Sequence, residues 1–112
     1  MSEIKMDNKG RKYEYRKELA NLVNQEVEVT LFDIKLVRPG ARLQILSQDV
    51  ELSGKIICRH AWCNLTTSLA RKIGKKRVNV ERGQNIKARA KVVEYTNKKG
   101  QLNYSFKLYE IL

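Results

Sequence analysis

Residues 26–36 read Glu26-Val27-Glu28-Val29-Thr30-Leu31-Phe32-Asp33-Ile34-Lys35-Leu36. Apolar side chains occupy odd positions through Leu31 and even positions from Phe32 onward. A period of two marks a strand with one buried face. A change of parity inside it predicts a bulge near Leu31-Phe32 and a bent strand serving two parts of a curved sheet.

The same pattern continues downstream. Arg38-Pro39-Gly40-Ala41 is a turn, because Pro fixes one dihedral and Gly permits the next. A second strand follows over 42–52, with a phase slip expected between Ile45 and Leu46. Ser53-Gly54 reverses the chain as a hairpin into a third strand over 55–65. Thr66-Thr67-Ser68 offers hydroxyl caps to a short helix over 69–73, with Gly74 expected at its C′ position. Glu81-Arg82-Gly83-Gln84 is a turn. In the fourth strand, 85–96, Ile86, Ala88, Ala90 and Val92 alternate with Lys87, Arg89 and Lys91. Asn97-Lys98-Lys99-Gly100 is a hairpin loop. The last strand, 101–112, is expected to turn Leu102, Tyr104, Phe106, Leu108 and Leu112 inward.

Upstream, residues 1–10 are polar and predict a flexible leader. In 11–24, Tyr15, Leu19, Leu22 and Val23 recur at helical spacing, which predicts an amphipathic helix closing one end of the domain. A single domain over 11–112 is therefore expected. Three bent strands, a short helix and a two-stranded hairpin predict a mainly β fold, the five-stranded OB-fold barrel, with the short helix between strands 3 and 4. A flat sandwich would leave that helix unexplained.

Composition narrows the function. A chain of 112 residues supports one core, and 42% hydrophobic with 31% charged residues suits a globular protein rather than a disordered tail. No apolar run approaches the roughly 20 residues that cross a bilayer, and Met1-Ser2-Glu3-Ile4-Lys5 is too polar for a secretory signal. The formal net charge is +11, which favours polyanionic partners. Between Arg71 and Lys99, eleven basic residues face only Glu81 and Glu94, a local +9. Cys58 and Cys63 are five apart, so an ideal strand sends them to opposite faces, and neither a disulfide nor a shared metal is expected. A reducing cytoplasm fits that usage.

The stretch Gly54-Lys-Ile-Ile-Cys-Arg-His60-Ala-Trp62-Cys-Asn64-Leu65-Thr66, followed by Arg82-Gly83-Gln84-Asn85-Ile86-Lys-Ala88-Arg-Ala90-Lys-Val92-Val-Glu-Tyr95, resembles small OB-fold proteins of phages, plasmids and other mobile elements. The resemblance covers roughly residues 25–112. It implies an accessory role in DNA replication or priming beside a polymerase, primase or helicase. Where an aromatic or glycine-rich loop between the last two strands is expected, this chain has the short turn at 97–100.

On such a barrel the ligand face comprises strands two and three with the loops joining strands one–two and four–five. Those positions supply Arg38, Arg42, Arg59, His60, Trp62, Lys98 and Lys99. Cations suit phosphates, and flat rings suit bases, so the pattern predicts binding of single-stranded DNA or RNA. Trp62 and His60 share one side of an ideal strand, whereas Arg59 needs a bulge to join them. Lys87, Arg89 and Lys91 form a cationic stripe whose mutual repulsion an anion would relieve. A protein adaptor that docks on a larger enzyme is the alternative. Catalysis, a cofactor and a metal are not expected. Asp33, Asp49 and Glu51 are the only strand acids available to a metal pair, and no phosphate loop or nucleophile motif occurs.

Overall fold

A computed structural model of the chain describes residues 3–6, 12–15, 17–38 and 42–112. Its elements are strands β1 (Glu3–Met6) and β2 (Lys12–Tyr15), a 3-10 helix (Lys17–Leu22), β3 (Glu26–Phe32), β4 (Lys35–Val37), β5 (Gln44–Leu52), β6 (Lys55–Leu65), helix α1 (Thr67–Gly74), β7 (Ile86–Thr96) and β8 (Leu102–Ile111). Beyond the β1–β2 pair, one sheet runs β3-β7-β8-β6-β5-β4, and β3 also pairs with β5. That last pairing closes a five-stranded barrel, with β4 as an extra strand beside β5. The arrangement is mainly β and is consistent with an OB-like barrel.

Closure depends on two bends. The parity change in residues 26–36 falls at Asp33, whose backbone is left-handed (φ 47). Before the bend, β3 pairs with β7 (Val29↔Ala88) and its end with β5 (Phe32↔Asp49); after it, β4 pairs with β5 alone (Lys35↔Leu46). The second bend lies at Gln48-Asp49, two successive residues outside the core, rather than between Ile45 and Leu46 as expected. Its cause is Ser47, which is fully buried. The Ser47 hydroxyl donates to the Asp49 carbonyl at 2.6 Å and accepts from the Phe32 N–H at 3.2 Å. A polar side chain therefore occupies an inward position that hydrophobicity alone does not reveal, and Leu46 faces out.

The core is built from Val29, Leu31, Ile34, Ile45, Val50, Phe106 and Leu108, with Ala88 and Ala90 leaving room for the larger side chains. The β7 alternation holds as read. In β8 the inward set is Tyr104, Phe106 and Leu108; Leu102 and Leu112 lie at the strand ends and are exposed, since the barrel closes before reaching them. Ser53 (φ 53) and Gly54 (φ 82) form a two-residue reversal with both residues left-handed, as a type I′ hairpin requires. At Asn97–Gly100 the Asn97 Oδ1 accepts from the N–H groups of Lys99 and Gln101, and Gly100 is left-handed (φ 76).

Three further expectations change. The helix expected over 11–24 is instead strand β2 followed by the 3-10 helix. Leu19, Leu22 and Val23 keep their apolar role in either helix type. The segment must end by Asn24, whose N–H donates to Val92 O while Val92 N–H donates to Gln25 O. Within the expected leader, Glu3–Met6 pairs with β2, for example Ile4↔Glu14. At the end of α1, Gly74 is helical and Lys76 (φ 58) is the left-handed residue; Lys76 N–H donates to Ile73 O and Arg77 N–H to Lys72 O. The Pro39-Gly40-Ala41 turn lies outside the described residues.

Two stability measurements check this account. Ser47→Ala strands the Phe32 N–H and should cost roughly 1–2 kcal/mol in urea unfolding. Gly74→Ala places a Cβ where nothing lies within 4 Å. In a helical backbone it should add about 0.5–1 kcal/mol.

Candidate nucleic-acid interface

Strand β6 decides what the outer wall of the barrel presents. Ideal alternation would put one of Cys58 and Cys63 outside. Instead both are buried and not joined as a disulfide. Two irregularities reset the phase. A bulge opposite Val50-Glu51 leaves Ile57 and Cys58 both inside. Then His60 adopts a left-handed backbone (φ 51), and Arg59 and His60 are both outside. Alternation resumes with Ala61 and Cys63 buried and Trp62 exposed by 49%. The kink thus brings Arg59 to the same wall as His60 and Trp62, and the two sulfurs share the interior.

Cross-strand register fixes the neighbours of the indole. Trp62 lies opposite Leu46, which lies opposite Lys35, so three strands contribute one row. The next row is Val37, Gln44, Asn64 and Lys107. Gln44 Nε2 donates to Asn64 Oδ1 at 2.6 Å, which fixes the Asn64 amide. On the other side of Trp62, Asp49 faces Arg59 with 3.8 Å between charged atoms, in a solvent-exposed pair of small energetic weight. Behind Trp62, the Ser105 hydroxyl donates to the Trp62 carbonyl at 3.1 Å and ties β8 to β6.

The loops lie at the two ends of this wall. Arg38 and Arg42 flank the β4–β5 connection and border a cleft of about 360 Å³ with Leu43, Asn64, Leu65, Thr67, Ala70 and Lys107. From Asn64↔Lys107 and the Ser105–Trp62 bond, β8 runs back parallel to β6 toward its first residue, Leu102. The turn carrying Lys98 and Lys99 precedes Leu102 in the β7–β8 hairpin. Arg59, His60 and Trp62 therefore share one wall, Arg38 and Arg42 border the cleft at the Asn64 end, and Lys98 and Lys99 lie in the β7–β8 turn.

Lys87 and Arg89 stand elsewhere, whereas Lys91 lies opposite Lys107 on β8. All three face outward from β7, and their partners across β3 are Thr30, Glu28 and Glu26. On β8, Glu110 lies opposite Arg89 and accepts a hydrogen bond from its Nη1 at 3.2 Å. Acids on adjacent strands relieve the repulsion within the stripe, so no external anion is needed to explain it. Arg71, Lys72, Lys75, Lys76 and Arg77 cluster at the C-terminal end of α1, where positive charge favours the helix dipole. With Arg82 in the turn at 82–83 and Lys98 and Lys99 in the β7–β8 turn, the basic block of the sequence is thus split among four places. Sequence reasoning missed Leu46, Asn64, Thr67 and Lys107. Lys107 alone carried a signal, as the outward residue between Phe106 and Leu108.

Among the described residues no three His, Cys, Asp or Glu side chains come together as metal ligands, and no helix is long and apolar enough to cross a membrane. No family model, curated protein or solved structure matches the chain.

The His60 kink is testable through residues that differ in tolerance of left-handed backbone. His60→Asn should fold with near-native stability, whereas His60→Val should be at least about 1 kcal/mol less stable than the Asn variant in urea.

Proposed function

We propose that this protein binds single-stranded nucleic acid, DNA foremost, on the outer wall of β5 and β6. The observation that carries this is Trp62, the single tryptophan, half exposed in the middle of that wall instead of packed in the core. A base stacked on the indole gains about 1–3 kcal/mol whatever its identity, so weak sequence preference follows. Arg38, Arg42, Lys98 and Lys99 would contact phosphates on either side of the ring. Such binding requires no bond-making group, cofactor or metal. The buried thiols Cys58 and Cys63 suit a cytoplasmic setting. An accessory role in replication or priming on a mobile element rests on the resemblance of residues 54–66 and 82–95 alone.

A second possibility is a protein adaptor docked on a polymerase, primase or helicase. It is favoured by exposed apolar side chains besides the indole: Leu36, Ile56 and Leu102. Large apolar and aromatic residues of this kind anchor protein interfaces.

Anisotropy titrations with labelled single-stranded and duplex oligonucleotides separate the two. For nucleic-acid binding, log K should fall with log salt by about 0.7 per phosphate contacted, hence a slope of roughly −3 for four cations. Trp62→Ala should weaken single-strand affinity by roughly 5- to 150-fold while leaving the urea midpoint nearly unchanged. Full-strength binding by this variant would discard the stacking role. A folded protein without affinity for any oligonucleotide at low salt would favour the adaptor.

A further inference from the structure

The cleft at the Arg38–Arg42 end of the wall has a composition of its own. Among the described lining residues three are cations, Arg38, Arg42 and Lys107, and none is an acid. Asn64 and Thr67 supply the remaining polar side chains. Because Asn64 Oδ1 already accepts from Gln44, its Nδ2 amide is the end left to offer, and that end only donates. Thr67 is the first residue of α1, at the positive end of the helix dipole, and the first turn contains no acid. Lys107 has no acid across either strand: its register neighbours are Lys91 and Asn64. These donors from β6, β8, α1 and the β4–β5 connection line one concavity, which suits a compact anion with several acceptor oxygens.

The position of the cleft limits what that anion can be. The Gln44–Asn64–Lys107 row is the last outward row of β6 before the strand ends at Leu65 and α1 begins at Thr67. A nucleic-acid strand lying along the wall therefore reaches the helix here and has no further sheet to follow. A backbone phosphodiester carries one negative charge, whereas a phosphate monoester carries close to two at neutral pH. We propose that this cleft holds a phosphate monoester, the terminal phosphate of the strand stacked on Trp62. The inference rests on the nucleic-acid reading of the wall and adds an end preference to it. Lys107, Asn64 and Thr67 become binding residues, with Arg38 and Arg42 serving the terminal phosphate rather than internal ones.

The experiment compares one oligonucleotide in three forms, with a 5′-phosphate, with a 3′-phosphate and with hydroxyls at both ends, by competition against a labelled hydroxyl-ended strand. One phosphorylated form should bind about tenfold tighter than the hydroxyl-ended form, the gain expected for one additional charge-assisted contact. Lys107→Ala, a substitution at an exposed position, should weaken the phosphorylated form about tenfold more than the hydroxyl-ended form, so that the gain is abolished. Trp62→Ala should weaken all three forms alike. Adding a nucleoside 5′-monophosphate tests the source of the group. If it removes only the end preference, the cleft accepts a free nucleotide as well; if it has no effect while the preference is present, the cleft is reserved for strand ends. Equal affinity for all three forms would overturn the cleft proposal and leave the wall intact. Absence of binding to any form would overturn both. An end preference unaltered in Lys107→Ala would place the phosphate elsewhere and also overturn the proposal.

Discussion

The structure depends on one strand being shared between two neighbours. β3 must pair with β7 along most of its length and with β5 at its end, and the chain must then leave β3's line to run beside β5 as β4. A straight ribbon cannot meet both demands, because each step along it alternates faces and its twist carries it away from one partner. The bend at Asp33 and the buried hydroxyl of Ser47 meet them together. Ser47 sits where β5 changes partner, and its oxygen takes up hydrogen bonds that a regular ladder would otherwise supply. Once those corners are set, the sheet closes, Leu31, Ile34 and Ile45 are sealed inside, and the outward rows fall into register.

Much of this was legible in the chain. Alternation in 86–92 located β7 and its inner face, and the parity change in 26–36 gave the bend, because burial enforces a period of two wherever a strand has one wet side. The turns at Ser53-Gly54 and Asn97–Gly100 were equally plain. Legibility failed where backbone conformation, not hydrophobicity, set the phase. His60 is left-handed without being glycine, so nothing in its residue type announced that Arg59 and Cys58 would change sides. Ser47 reads as an outward polar residue until its hydrogen bonds are known. In 11–24 the spacing of Leu19, Leu22 and Val23 suits two kinds of helix, and Lys12-Tyr13-Glu14-Tyr15 also alternates as a strand does.

Charge shows the same gap between order along the chain and arrangement in space. The densest basic stretch runs from Arg71 to Lys99, a local +9. Folding divides it among a helix end, the turn at Arg82, a strand lined by Glu26, Glu28 and Glu110, and a hairpin tip. The cations bordering the cleft come from distant positions, residue 107 beside residues 38 and 42. Net charge therefore set the kind of partner to look for, while strand register chose the place.

The exposure of Trp62 has a practical side. With no second indole in the molecule, ultraviolet emission excited at long wavelength originates from this one spot on the surface. Its colour and its accessibility to a soluble quencher report local wetting there, with no signal from the interior to subtract. Anything that settles over the ring should shift that light in unlabelled protein, giving an optical assay of occupancy that comes built into the chain.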